Sequence, residues 1–91
     1  MSDWFLISVW YENGETELHF EVANEVGEQY FFNLTAQLIN ERLVVKGETA
    51  LDKFYYAEEA MLALAVTIID EEMVEEGQDV HISEKLFDEY F

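Results

Sequence analysis

Asn13-Gly14 stands between two runs, Trp4 to Glu12 and Glu15 to Ala23, that are rich in aromatic and branched residues. The two central residues of a tight hairpin turn need positive φ, which Asn and Gly adopt most readily, so this dipeptide predicts an antiparallel hairpin at the start of the chain. A two-residue turn sets Glu12 against Glu15 and then pairs Tyr11 with Thr16, Val9 with Leu18, Ile7 with Phe20 and Phe5 with Val22. One face of that hairpin is almost wholly apolar. The other carries Trp4, Leu6, Ser8, Trp10 and Glu12 against Glu15, Glu17, His19, Glu21 and Ala23, mixing aromatics with carboxylates.

Further along, Glu28 to Leu34 alternates so that Tyr30, Phe32 and Leu34 point one way, which extends the hairpin to a three-stranded meander. Thr35 caps a short helix to about Glu41, and Arg42-Leu43-Val44-Val45-Lys46 reads either as the helix end or as a fourth strand, with the strand favoured. Thr49-Ala50-Leu51-Asp52 has capping-box spacing and opens one long helix to about Glu76. Within it Leu51, Phe54, Tyr55, Met61, Leu62, Ala65, Ile68, Ile69 and Met73 recur three and four residues apart, an apolar stripe that should lie across the apolar face of the sheet. Glu58 falls inside this stripe and is expected to be partly buried, accepting hydrogen bonds from Tyr30 or Arg42. Ala60, Ala63 and Thr67 on the opposite side admit close approach of either the last helix or a second copy of the chain, as in a homodimer. Gly77 stops the long helix, and Ser83 caps a final one in which Leu86, Phe87, Tyr90 and Phe91 share a face. The expectation is a single α+β domain over residues 1–91: a three- or four-stranded antiparallel sheet, one long helix packed on one face, and one or two short helices.

Composition supports a folded chain. Apolar residues make up 51% and aromatics 15% of the 91 residues, whereas disordered acidic segments are poor in both. There is no Cys, so neither disulfides nor thiolate chemistry contributes. The start, Met1-Ser2-Asp3-Trp4, lacks the cationic and apolar regions of a secretory signal, and the longest apolar run, Ala60 to Ile69, is about half a membrane span. These features point to the cytoplasm, and make the sequon Asn33-Leu34-Thr35 a chance match.

The charge is extreme. Asp and Glu occupy 21 positions against four for Lys and Arg, a formal net charge of −17. Such a surplus costs stability through self-repulsion, and it suits a partner whose own surface is positive. Halophilic adaptation also predicts scarce Lys, but here the surplus is clustered. Glu12, Glu15, Glu17, Glu21, Glu25 and Glu28 follow one another with no basic residue among them. On a strand, residues two apart lie about 6.6 Å from each other on one face, so Glu15, Glu17 and Glu21 are expected to form a line with roughly the spacing of successive phosphates. Asp70, Glu71, Glu72, Glu75 and Glu76 crowd the expected end of the long helix, where the helix dipole disfavours them. Asp79, Glu84, Asp88 and Glu89 form a third set, which reads as a solvated helix face. Trp4 and Trp10 lie on the mixed face, which the C-terminal helix either covers or leaves open as a binding surface; Trp10, beside the turn and its carboxylates, is the candidate aromatic anchor.

Catalytic motifs are absent: no glycine-rich phosphate loop, no nucleophile elbow, no paired His and Cys. The expectation is no enzyme and no cofactor. His19 and His81 are too far apart in sequence to suggest a metal site, and the acidic run from Asp70 lacks the ligand order of a calcium loop. Direct binding to nucleic acid is excluded on charge. In size, charge and missing catalytic apparatus the chain is similar to the small acidic anti-restriction and anti-CRISPR proteins of bacteriophages, and to immunity proteins of nuclease toxins. That similarity implies an inhibitor that mimics nucleic acid and occupies the positive surface of a CRISPR effector, restriction enzyme or nuclease, in the host cell cytoplasm if phage-encoded. The expected contact residues are Trp10 with the first two acidic sets. The alternative is a small structural or adaptor subunit that binds through its Trp-bearing sheet face.

Overall fold

A computed structural model of the chain describes residues 3–91, so Met1 and Ser2 of the expected leaderless start lie outside the described residues. The order is β1 (Trp4–Glu12), β2 (Glu17–Asn24), β3 (Gln29–Thr35), α1 (Ala36–Arg42), α2 (Ala50–Tyr56), α3 (Glu58–Glu71), β4 (Asp79–His81) and α4 (Glu84–Tyr90). The α+β class is as expected. The four strands form one sheet in the order β1-β2-β3-β4.

β1 and β2 form the expected hairpin, but in a different register. Asn13, Gly14 and Glu15 all take positive φ (53°, 65° and 71°), and the connection widens to four residues, closed by the Thr16 amide and hydroxyl on the Asn13 carbonyl at 3.3 and 2.8 Å. Glu12 therefore faces Glu17, Tyr11 faces Leu18 and Val9 faces Phe20. A slip of two residues preserves which way each side chain points, because the strand period is two. A β-bulge at Ile7 then changes it: Ser8 pairs with Glu21 and Leu6 with Val22, leaving Ile7 unopposed. Beyond the bulge Trp4 and Leu6 turn to the core and Phe5 turns to solvent, the reverse of the sequence expectation. Trp4 meets Tyr30 at a ring separation of 5.6 Å.

The fourth strand is not the expected one. Leu43 caps α1 and is buried, whereas Val44 is 97% exposed; the branched run at 42–46 pairs with none of the four strands. The edge beside β3 is taken by Asp79–His81, which runs parallel to β3 after the helical crossover, so the sheet is mixed rather than wholly antiparallel. Gly77 donates to the Gln29 carbonyl at 2.8 Å and Phe31 to that of Gln78 at 3.3 Å, which feeds the segment into the sheet.

The expected long helix is two helices. Thr49 caps the first by accepting from the Asp52 amide at 3.1 Å. The chain then bends at Ala57, whose amide is shared between the Lys53 and Phe54 carbonyls at 3.1 Å each. Neither Gly nor Pro marks this bend. Glu58 consequently sits exposed in the first turn of α3, where a carboxylate suits the helix dipole, and Arg42 is bound elsewhere. α3 stops at Glu71, before Gly77, with Met73 at φ 52° and Val74 donating back to the Ile69 carbonyl at 3.1 Å. This is the left-handed Schellman ending, with Met in the place usually taken by Gly.

The core lies between one face of the sheet and the helices. Leu18, Phe20, Val22, Phe32 and Leu34 are wholly buried against Ile39, Phe54, Met61, Ile68 and Phe87. Phe20 is its centre, stacked on Phe32 at 5.2 Å and tilted against Phe54 at 5.0 Å. Each such side chain contributes roughly 1.5–3 kcal/mol relative to exposure. Ala60, Ala63, Leu64 and Thr67 line a cleft with Tyr90 and Phe91 of the C-terminal segment, and Ala60 and Ala63 remain exposed.

Candidate functional site

Among the described residues, no helix packs on the outer face of the sheet. Its side chains follow from the pairing: Phe5, Ile7, Ser8, Trp10 and Glu12 on β1; Glu17, His19, Glu21 and Ala23 on β2; Phe31 and Asn33 on β3; Asp79 and His81 on β4. Phe5 and Ile7 are 49% and 53% exposed and Trp10 37%. Trp10, the expected anchor, thus lies on an open face, while Trp4 does not.

Trp10, His19, Asn33 and His81 form one row across all four strands. Trp10 stacks on His19 at 6.0 Å. The imidazole of His19 is set between two carboxylates that face each other across the hairpin, with Nδ1 3.0 Å from Glu12 and Nε2 3.2 Å from Glu17. Like charges directly opposite on a sheet repel, and the ring between them sets one nitrogen against each carboxylate. The Trp10 indole also donates to Glu12, at 3.2 Å. Asn13 donates to Glu17, and this bond, followed by the one from His19, holds the Glu17 carboxyl below the usual carboxylate range. At the far edge Asn33 donates to Asp79 at 3.0 Å and shares a hydrogen bond with His81 at 2.7 Å.

The acidic residues fall into groups that differ from those read along the chain. Glu15 lies in the turn, not on the strand, so the expected line Glu15, Glu17, Glu21 is not present; only Glu17 and Glu21 share the face, with His19 between them. Glu12, Glu15 and Glu17 mark one end of the hairpin. Glu25 and Glu28 mark the other, roughly 23 Å away for seven steps of extended chain. The end of the run from Asp70, far off in sequence, comes beside Glu28 because the Gly77 amide bonds the Gln29 carbonyl at 2.8 Å, and Glu28, Glu76 and Asp70 all act on the Tyr30 hydroxyl, whose pKa is raised first by burial and then by these charges. Glu72 accepts from the Tyr90 hydroxyl at 3.2 Å, and Glu71, Glu72 and Glu89 add to the burial that raises that hydroxyl's pKa. Glu75 closes the turn to Gln78 beside β3.

The cations are elsewhere. No Lys or Arg precedes Arg42, and Lys46, Lys53 and Lys85 lie in the following loop, in α2 and in α4. Arg42 is held by Asp88 (Nε to Oδ1 2.9 Å, Nη2 to Oδ2 3.2 Å) and by Glu84. This clamp joins α1 to α4, and it holds the Asp88 carboxyl below its usual range. Of the third acidic set, Glu84 and Asp88 are therefore partly neutralised, whereas Asp79 lies on strand β4 rather than on the expected helix face. Among the described residues no group of three His, Asp or Glu is placed to hold a metal ion, and no helix is long and apolar enough to cross a membrane.

The pairing of Glu12 with Glu17 through His19, and the approach of Glu28 to the end of the Asp70 run, had no local signal in the sequence. No known family model, curated protein or solved structure matches the chain.

Proposed function

We propose that this chain is an acidic inhibitor that mimics nucleic acid and occupies the cationic surface of a nucleic-acid-handling protein, a CRISPR effector or restriction enzyme in the first place, as a phage-encoded counter-defence protein would. The observation that carries this reading is that Glu12, Glu17, Glu21 and Asp79 share the outer face of a sheet that bears no Lys or Arg, with Glu15 in the turn at one end of the hairpin and Glu25 and Glu28 at the other. Over the same roughly 23 Å, duplex DNA presents about 14 phosphates. A groove built for those phosphates attracts this surface by the same long-range field, and like DNA the surface would release counterions on binding.

A second reading has its own support: the open Phe5, Ile7 and Trp10 suit an adaptor subunit bound by apolar contact. The two are separated by displacement of a fluorescent duplex from candidate effectors and restriction enzymes, followed by anisotropy as a function of salt. The inhibitor displaces the duplex, and its affinity falls steeply between 50 and 200 mM salt, as expected when several ion pairs are made. If inhibitor and duplex occupy the target together, mimicry fails. If affinity ignores salt but is lost in Trp10→Ala, the adaptor reading takes its place.

A further inference from the structure

We propose that the open sheet face receives arginine side chains of the partner, with Trp10 as the stacking surface and the flanking carboxylates as acceptors. This rests on the reading above that the partner is cationic, and adds which face makes the contact and which cation it takes.

Three observations lead there. The outer face keeps Phe5, Ile7 and Trp10 in water although a closed core is available on the other side of the same sheet. Around them stand Glu12, Glu17, Glu21 and Asp79, with no Lys or Arg on any strand. Trp10, Glu12, His19, Phe31, Phe32 and Asp79 line a single concavity, so its walls carry the rings of Trp10, His19 and Phe31 while carboxylates from β1 and β4 stand on either side.

Such a site discriminates among occupants. A second copy of the chain is the wrong one, because a two-fold contact through this face would set carboxylates against carboxylates. A purely apolar partner would leave those carboxylates desolvated without compensation. Lysine answers the charge but not the rings, since its ammonium is a compact and strongly hydrated point charge. Arginine answers both: its planar guanidinium lies flat on an aromatic ring while its fork of N–H groups reaches carboxylates at the rim. The indole of Trp10 is steadied for this by its stacking on His19 and its hydrogen bond to Glu12.

The test is a titration of the ¹⁵N-labelled chain with nona-arginine and, separately, nona-lysine at one fixed salt concentration, read by amide and indole N–H signals. The two indole signals distinguish Trp10 from the inward-facing Trp4. Nona-arginine is expected to bind about fivefold more tightly than nona-lysine, the scale of one or two exposed cation–π contacts. It should move the Trp10 indole together with amides of Phe5, Ser8 and Phe31. In Trp10→Ala, checked by circular dichroism for an intact fold, the two peptides should bind equally. Equal affinities for the unaltered chain, or shifts confined to Glu25, Glu28 and residues 70–76, would overturn the inference while leaving a cationic partner standing. Failure of both peptides to bind at low salt would overturn the inference and the reading beneath it together.

Discussion

Deletion of Ile7 isolates the feature that decides the face of the N-terminal strand. Ile7 is the unopposed residue of the bulge: Val9 and Tyr11 point inward on one side of it, and Leu6 and Trp4 on the other. With Ile7 removed, Leu6 and Ser8 become neighbours, the alternation runs without a break from Trp4 to Glu12, and Leu6 still meets Val22. Every inward side chain stays inward. Ile7 itself is half-exposed, so little buried area is lost and the expected change in stability is within about 1 kcal/mol. The opposite outcome follows if the strand were regular through Ile7. In a regular strand Ile7 and Phe5 would face the core, so deletion would take Ile7 out of it and turn Phe5 to the outer face, at a cost of about 3 kcal/mol for the two side chains at the low end of full burial. Urea denaturation separates the cases, because 3 kcal/mol moves the midpoint by more than about 1 M at the slopes usual for small domains. A loss of that size, with the slope unchanged, would refute the bulge as the cause of the inward Trp4 and Leu6.

Two further expectations follow from local chemistry. Met73, 84% exposed and at φ 52°, occupies a left-handed position, so Met73→Gly should raise stability by about 0.5–1 kcal/mol, the relief of strain less the entropy of the glycine. A differential scan should show the melting temperature rising by roughly 3–6 °C; no rise would mean that the Schellman ending is not formed. Asp88 is hydrogen-bonded to Arg42 and its folded pKa is depressed. Its contribution is therefore present above its unfolded pKa of about 3.9 and is lost as pH falls through the lower folded value. Asp88→Asn should be less stable than the parent at neutral pH, and the gap should close in urea titrations taken between pH 4 and pH 2; a constant gap would contradict the clamp.

How far the chain could be read from its sequence varied with the range of the contacts involved. Thr35, Thr49 and Ser83 cap helices where expected, each accepting an amide three residues on at 3.1 Å. These contacts are written within a few dihedrals of one another. The inward alternation of Leu18, Phe20, Val22, Tyr30, Phe32 and Leu34 was legible for the same reason. The register of the first hairpin was not: pairing Tyr11 with Thr16 or with Leu18 buries the same faces, so the pattern is blind to a slip of two, and Asn13-Gly14 serves a four-residue loop as well as a tight turn. Nor was the place of the fourth strand, since Arg42 to Lys46 has more of a strand's composition than Asp79 to His81 but lacks the vacant edge of β3.

The sequence by itself determined the charge, the alternation of β2 and β3, the starts of α1, α2 and α4 and the confinement of every Lys and Arg to the chain after Thr35. Tertiary structure alone decided that Trp10 stays in water while Trp4 leaves it, that His19 stands between Glu12 and Glu17, and that Glu28 meets Asp70 and Glu76 around Tyr30. The physical reason is separation along the chain. Caps and alternation arise from neighbours, whereas the site is assembled by residues brought together across strands, and which ones meet is settled by the summed packing of the whole core.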